Sequence, residues 1–338
     1  MGQAVIEVAA EVFAAASVVG SKEKEGPLGE RFDLCDPTNR FGMKTWESAE
    51  SEMQRLALNT ALGKAKLHPE DVGALFAGDL LNQCVGSAYG MASFAIPYVG
   101  LYGACSTSAE GLLLSSIAVT HKVCRVAAAV TSSHYCSAER QYRTPLEYGA
   151  QRAPTAQWTV TGAGAFLLRG AEAGEHQGKG RAVVRRCVIG RVQNAGVSDA
   201  ANMGAAMAPA ALDTLCRFFG ETQTSPTDYD LIVTGDLGHE GGDILCSLMR
   251  AEGLVIDDVY NDCGRMIYHR KMQDVHGGGS GCGCAAVVLA SELLPRLQSG
   301  NLSRILFMAT GAMMSPDSIK QGESILSVAH LLEIEHVE

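Results

Sequence analysis

Apolar and polar positions along the chain alternate between two rhythms. From Thr45 to Lys66, Trp46, Ala49, Met53, Leu56, Ala57 and Ala61 recur mostly at intervals of three and four, the stripe of an amphipathic helix, which Leu67-His68-Pro69 closes. "ALFAG" at 74–78 then reads as a short apolar strand, with polar Asp79 and Asn82 just beyond it. Helix, strand and polar tip make one α/β unit, and ligands in such folds gather at strand C-termini.

The unit recurs. "IPYVGLYGAC" reads as a strand leading into Cys105, 106–122 as a helix, and "RVAAAVTSSH" and "TGAGAFLLRG" as strands. The Gly- and charge-rich run 171–181 is the best linker, dividing the chain into halves 1–175 and 176–338. Beyond it, "AVVRRCVIGRV" predicts a strand, 204–219 a helix entered near Pro209, "YDLIVTGD" a strand with a polar tip, and 242–252 a helix. "HGGGSGCGCAAVVLASELLPRL" is a Gly-rich turn opening a helix, "RILFMATG" a closing strand and "HLLEIE" an edge strand. Each half thus contains a Gly/Ser/Cys turn that opens a buried helix, a correspondence of layout that reads as internal duplication.

Composition narrows the class. The 338 residues leave room for about two domains, and 47% hydrophobic against 19% charged residues describes a compact globular chain. A net charge of −10, a pI near 5.4 and the absence of any Lys/Arg-rich run exclude a nucleic-acid binder and disfavour anionic lipid. The longest uncharged run, 80–109, is broken by Asn82, Gln83 and Pro97, so no membrane span is expected. The apolar N-terminal stretch carries Glu7 and Glu11 without a basic flank, so no signal peptide is expected either. Eleven scattered cysteines read as reduced thiols, and the lone Cys282-x-Cys284 pair has no second pair to complete a zinc site, so no metal site is expected.

The chemistry concentrates on "GACSTSAEG" at 103–111. A thiol at a strand-to-helix junction lies in the positive field of the helix N-terminus beside unpaired N–H groups, which lowers its pKa and supplies an oxyanion corner. The same corner also serves plain anion binding. Asp79 and Asp236 stand at strand tips in "GDL" sequences, one in each half, as pocket acids or as turn formers. His134 at the end of "AAAVTSSH" and His276 beside its Gly-rich turn are candidate pocket groups, whereas His239 reads as a loop histidine. Arg140, Arg143 and Arg152 could clamp a carboxylate but more readily solvate their loop, and Trp158 with Thr161-Gly162 could line the cavity.

These motifs resemble known ones. "GACSTS" is similar to the G-x-C-[SA]-[SG] nucleophile turn of the thiolase and β-ketoacyl synthase superfamily. "HGGGSGC" at 276–282 is similar to its H-x-x-G-x-x-G turn, with Cys282 replacing the final Gly, which puts His276 where a catalytic histidine stands. The resemblance implies a thiolase-like α/β fold, two duplicated halves in a five-layered α-β-α-β-α body, and a homodimer. Longer runs, among them "FAGDLLNQ", "FAIPYVGLYGACSTS", "TAQWTVTGAGA", "MGAAMAPAALDT" and "ATGAMMSPDS", resemble the stage V sporulation protein AD family of endospore-forming bacteria.

That resemblance implies binding of dipicolinic acid (pyridine-2,6-dicarboxylate) and its loading into the developing spore. The family acts as the peripheral member of a complex with other sporulation stage V membrane proteins at the inner spore membrane, and Ca²⁺ can accompany the ligand. The expected ligand set is Asp79, Asn82, Cys105, His134, Asp236 and His276, with no cofactor. The alternative is an acyltransferase with Cys105 as nucleophile and His276 as base; a third reading is a structural subunit. Two departures weigh against catalysis: Thr234-Gly235-Asp236 stands at the strand tip after which synthases carry a second histidine, and "ATGAMMS" lacks the second thiolase cysteine.

Overall fold

The computed structural model describes residues 4–142, 152–172 and 180–338. Ten strands run in one hydrogen-bonded path: β1 (Val5–Gly20), β2 (Ala74–Gly78), β3 (Tyr98–Leu101), β4 (Val126–Ser133), β5 (Gly162–Gly170), β6 (Arg181–Val188), β7 (Leu231–Thr234), β8 (Tyr260–Asp262), β9 (Arg304–Met313) and β10 (Leu326–Val337). Their spatial order is β3-β2-β4-β5-β1-β6-β10-β9-β7-β8. Read outward from the β1–β6 junction, each strand of the first half has a counterpart at the same place in the second. In both halves the outer three strands are parallel and the inner pairings antiparallel.

The helices repeat in the same way. α1 (Trp46–Ala65), α2 (Val85–Met91), α3 (Thr107–Thr120) and α4 (Tyr135–Tyr142) precede the crossing to β5. α5 (Met203–Thr222), α6 (Gly238–Ala251), α7 (Cys282–Val288) and α8 (Pro316–Lys320) take the matching places in the second half, α7 running on through a π turn, Leu289–Leu293, into Leu294–Gln298.

Burial alternates along the strands and assigns the layers. On β4, Ala127 and Ala129 face a central core with α3 and α7, whereas Ala128 and Val130 face an outer core with α1. On β9, Phe307 and Ala309 face the central core, whereas Leu306 and Met308 face the outer core with α5 and α6. The body is therefore five layers, α-β-α-β-α, with α3 and α7 enclosed between the half-sheets. Both helices are apolar on nearly all sides, as enclosure requires.

The structure places several elements differently from the sequence pattern. The N-terminal apolar stretch is β1, the long strand at the centre of the sheet, with Glu7 and Glu11 paired to Arg186 and Arg169. "HLLEIE" belongs to β10, which lies inside the sheet between β9 and β6 and is no edge strand; the burial of its faces in both cores explains the apolar run. The helix expected from 242 starts a turn earlier, and Pro209 sits inside α5. The 175/176 division and most of the linker fall outside the described residues.

Enclosure of α7 depends on a missing side chain. A Cβ on Gly164 of β5 would stand 2.7 Å from Ala286 Cβ and 2.9 Å from its backbone. Gly164→Ala should therefore cost about 1–3 kcal/mol in urea unfolding, with the denaturant slope unchanged; an unaffected midpoint would mean that α7 moves freely in its slot.

Candidate functional site

The C-terminal ends of the parallel strands carry the polar tips, and the N-termini of the two enclosed helices converge there. Cys105 lies on the 3-10 turn Ala104–Ser106 that opens α3. Ala104 takes a left-handed φ of 52°, and the turn is braced by Ser106 Oγ donating to Gly103 O (2.6 Å) and Thr107 Oγ1 donating to Ala104 O (2.7 Å). Across from it, Ser280 and Gly281 open α7, Gly281 at φ 99°. Cys105, Cys282, Leu80 and Ala138 pack against one another at the junction.

Above this junction opens a cavity of about 270 Å³. Leu80, Asn82, Tyr102 and Tyr142 form one wall, Met203, Met313 and Met314 the other, and Cys105 and Ser280 lie among its lining residues. Tyr102 Oη donates to Asn82 Oδ1 (2.9 Å), and the Tyr142 hydroxyl donates to Leu80 O. Among the described lining residues Glu139 is the charged one, and it accepts from Thr159 Oγ1 (3.1 Å). The lining is otherwise apolar side chains, thioethers, hydroxyls, the Asn82 amide and the Cys105 thiol.

The electrostatics of Cys105 reverse the expectation from its position. Its thiol is pushed well above the ordinary thiol range, first by burial and then by the Asp236 carboxyl beside it; Gly281 N–H and Ser280 oppose this only in part. Asp236 is itself buried, accepting from Gly281 N (2.9 Å), Ser280 Oγ (3.2 Å) and Thr310 Oγ1 (3.1 Å), and burial holds its pKa raised. The helix field that should have produced a thiolate is outweighed by desolvation and an acid. Where a thiol nucleophile needs a proton acceptor that becomes cationic, this one has a neighbour that is neutral or negative.

The structure brings part of the expected set together. Cys105 and Asn82 line the cavity, and Asp236 lies directly behind Cys105. Asp79 is fully buried behind the wall, bonded to Leu81 N (2.8 Å), Ser87 N (2.7 Å) and Ser87 Oγ (2.6 Å). The histidines do not reach the lining. His134 uses Nε2 on Asn39 O (2.8 Å) and Nδ1 on Cys136 N (3.2 Å) and tilts against Trp46, with burial lowering its pKa. His276 has Nδ1 on Ala153 O (2.9 Å) and Nε2 on Asp274 (2.9 Å) at the half-exposed far side of its turn.

Trp158 is also turned away, one contact being its stack on Tyr135 at 3.9 Å and another Lys22 Nζ over its ring at 3.9 Å. Arg140 pairs with Glu47 and Arg152 with Asp274, while Arg143 lies outside the described residues. His239 is in the first turn of α6 and not in a loop. No group of three or more His, Cys, Asp and Glu among the described residues could hold a metal ion.

Sequence reasoning missed Glu50, Glu139, Thr310 and the methionine wall. Glu50 had a signal: with Gln54 it forms a polar i,i+4 pair on the apolar stripe of α1. The methionines had none, since thioethers in apolar runs read as core.

Comparison with known proteins fixes the family. The model of the family described as stage V sporulation protein AD (SpoVAD) matches residues 3–335. The chain is 41% identical over 319 residues to stage V sporulation protein AD of Bacillus subtilis (strain 168), covering 94% of this chain and 92% of that one. The chain belongs to the stage V sporulation protein AD family. Among solved structures, cerulenin-bound OleA of Xanthomonas campestris superposes with a TM-score of 0.62 at 14% identity, covering 99% of both chains. The 3-oxoacyl-(acyl carrier protein) synthase III, FabH, of Xanthomonas oryzae pv. oryzae gives 0.60 at 14% identity, covering 97% of this chain and 99% of that one. The fold of this family member is thus thiolase-like, as its sequence motifs implied, and these distant likenesses speak to fold alone.

The acid beside the thiol yields a direct test. Asp236→Asn should move the midpoint of the pH dependence of iodoacetamide labelling at Cys105 down, read as mass on the Cys105 peptide, because the second-largest cause of its raised pKa is removed. An unmoved midpoint would mean that burial alone holds the thiol neutral.

Proposed function

We propose that this protein is a ligand-binding member of its sporulation family that takes dipicolinate into the cavity above Cys105 and serves its loading into the developing spore. The observation that carries the reading is the neighbour of Cys105. Burial, reinforced by a carboxyl group, keeps the thiol protonated, and both candidate histidines lie outside the described lining, which leaves a pocket able to bind but without the histidine base expected for acyl transfer.

The lining suits a small aromatic acid. Tyr102, Tyr142, Leu80 and the methionines offer apolar and ring surface, while Asn82, Thr159, Ser280 and Ser315 offer polar groups at the rim and floor. The one charged group among the described lining residues is acidic, so hydroxyl and amide donors, together with Ca²⁺ carried in with the ligand, balance its carboxylates in this reading. Work at a membrane falls to partners, the other stage V sporulation proteins at the inner spore membrane. No helix among the described residues is long and apolar enough to cross one. A homodimer is part of the same reading: β3 ends one side of the sheet path, and Tyr98, Val99 and Tyr102 on or beside it are exposed.

Titration calorimetry of dipicolinate, with and without Ca²⁺, tests the proposal. Binding should be measurable in the wild type, and Cys105→Ala should weaken it only a few-fold, because a thiol held neutral contributes packing and a weak donor. Incubation with acyl-CoA should leave no mass adduct on Cys105. An adduct without dipicolinate binding would replace this reading by acyl transfer; neither result would leave a structural subunit.

A further inference from the structure

Behind the cavity wall lie two buried carboxyl groups, Glu50 of α1 and Asp79 at the tip of β2, packed around Gly86. A Cβ on Gly86 would stand 3.2 Å from Asp79 Oδ2 and 3.5 Å from Glu50 Cγ. Gln54 bridges them. Its Nε2 donates to Ser87 Oγ (2.9 Å), which donates to Asp79, and to Ser132 Oγ (2.7 Å), which donates to Glu50 Oε1 (2.9 Å). Ser137 Oγ donates to Glu50 Oε2 (2.6 Å).

The groups facing this pair are Gln54 from α1, Gly86 and Ser87 from α2, and Ser132 from β4. Ser137 from α4, Tyr98 and Cys84 on the β3 side, and Cys282 from α7 complete the surroundings. None is a cation, so among the described residues two negative charges would have no counter-ion. Gln54 Oε1 is buried without a partner, which leaves the network one donor short.

The partners decide where a proton goes. Asp79 is held by backbone N–H groups of Leu81 and Ser87, which can only donate and therefore favour its ionised form against the opposing effect of burial. Glu50 is held by hydroxyls, which can reverse and accept. Asp79 in turn fixes a strained wall. Gln83 and Cys84 take left-handed φ of 60° and 53°, Leu80 and Asn82 of the same segment line the cavity, and Cys84 Sγ donates to Leu101 O (2.8 Å). Left-handed backbone at two successive non-glycine residues is strained, so the wall holds its shape through its clamp.

We propose that the pair holds a single proton, on Glu50, and that Glu50 is a positioning residue for the cavity: by carrying the proton it lets Asp79 stay ionised and clamp the wall. Burial first and the Asp79 charge second push Glu50 from 4.5 up to about 8, in keeping with this placement. The closed wall therefore holds a proton that an opened, hydrated Glu50 releases. Closure is favoured most below the ordinary carboxyl value, loses up to about tenfold per pH unit as pH rises towards about 8, and is constant above that.

Hydrogen exchange at the Leu81 and Ser87 amides, compared with Glu50→Gln at each pH so that intrinsic exchange cancels, reads this without any ligand. The opening constant of the wild type relative to the variant should climb by up to about tenfold per unit between about pH 5 and about pH 8, then level off. A ratio that is constant with pH overturns the proposal, because a merely structural Glu50 shifts protection by one factor at every pH. A second arm rests on the proposed function: dipicolinate affinity should fall with pH in the wild type whenever the opened wall becomes populated, and stay flat in Glu50→Gln. Absence of dipicolinate binding at every pH would sink that reading, while the exchange ratio still decides the role of Glu50.

Discussion

Enclosing two helices between half-sheets is the constraint from which the rest follows. α7 is buried along its whole length and α3 along most of it, so their side chains must be small where backbones approach, as Ala286 is beneath Gly164, and their first N–H groups must find acceptors inside the protein. The β1–β6 pairing brings the halves together with the two helix starts side by side. The polar chemistry of the molecule collects at that meeting point because the geometry leaves unpaired donors there and nowhere else in the central layer for them to go.

Strand-tip acids meet such a demand at the start of α7 and also around the outer helices α6 and α2. Asp236 takes Gly281 N–H at the start of α7, Asp262 takes the N–H groups of Leu237, Gly238 and Gly264, and Asp79 takes those of Leu81 and Ser87. Each carboxyl pins the turn that follows a parallel strand. Hydrogen bonds to a charged acceptor are worth about 1.5–3 kcal/mol each, enough to keep such acids in a core that would otherwise expel them. Burial nonetheless raises all three pKa values, with Asp262 near 7. These acids are fasteners first; burial is the largest influence on their charge state, and the donors they fasten oppose it in part.

Most of the fold could be read from periodicity, because α1, β2, β4, β5 and α3 each bury one regular stripe or one continuous run. The failures share a cause. β1 and β10 are buried on both faces and carry no alternation, so their place in the sheet depends on long-range pairing that no local pattern encodes. The site was half legible. Cys105 and Asp236 announced themselves by position, but the side to which His134 and His276 turn depends on Asn39 O and Ala153 O, carbonyls distant in sequence.

The thiol at the helix start shows why position alone misleads. A helix N-terminus offers about half a unit charge, partly consumed by the first acceptor that reaches it. At the facing start of α7 that acceptor is Asp236, whose oxygen takes Gly281 N–H, and its charge opposes a second anion at Cys105 across the junction. Desolvation then decides, since a fully buried thiolate has only Gly281 N–H and Ser280 to set against the loss of water. A histidine in the place of Asp236 would have reversed the balance by accepting the thiol proton and becoming positive. With Asp236 at the strand tip and the thiol buried, the corner suppresses charge at Cys105 within a thiolase-like fold.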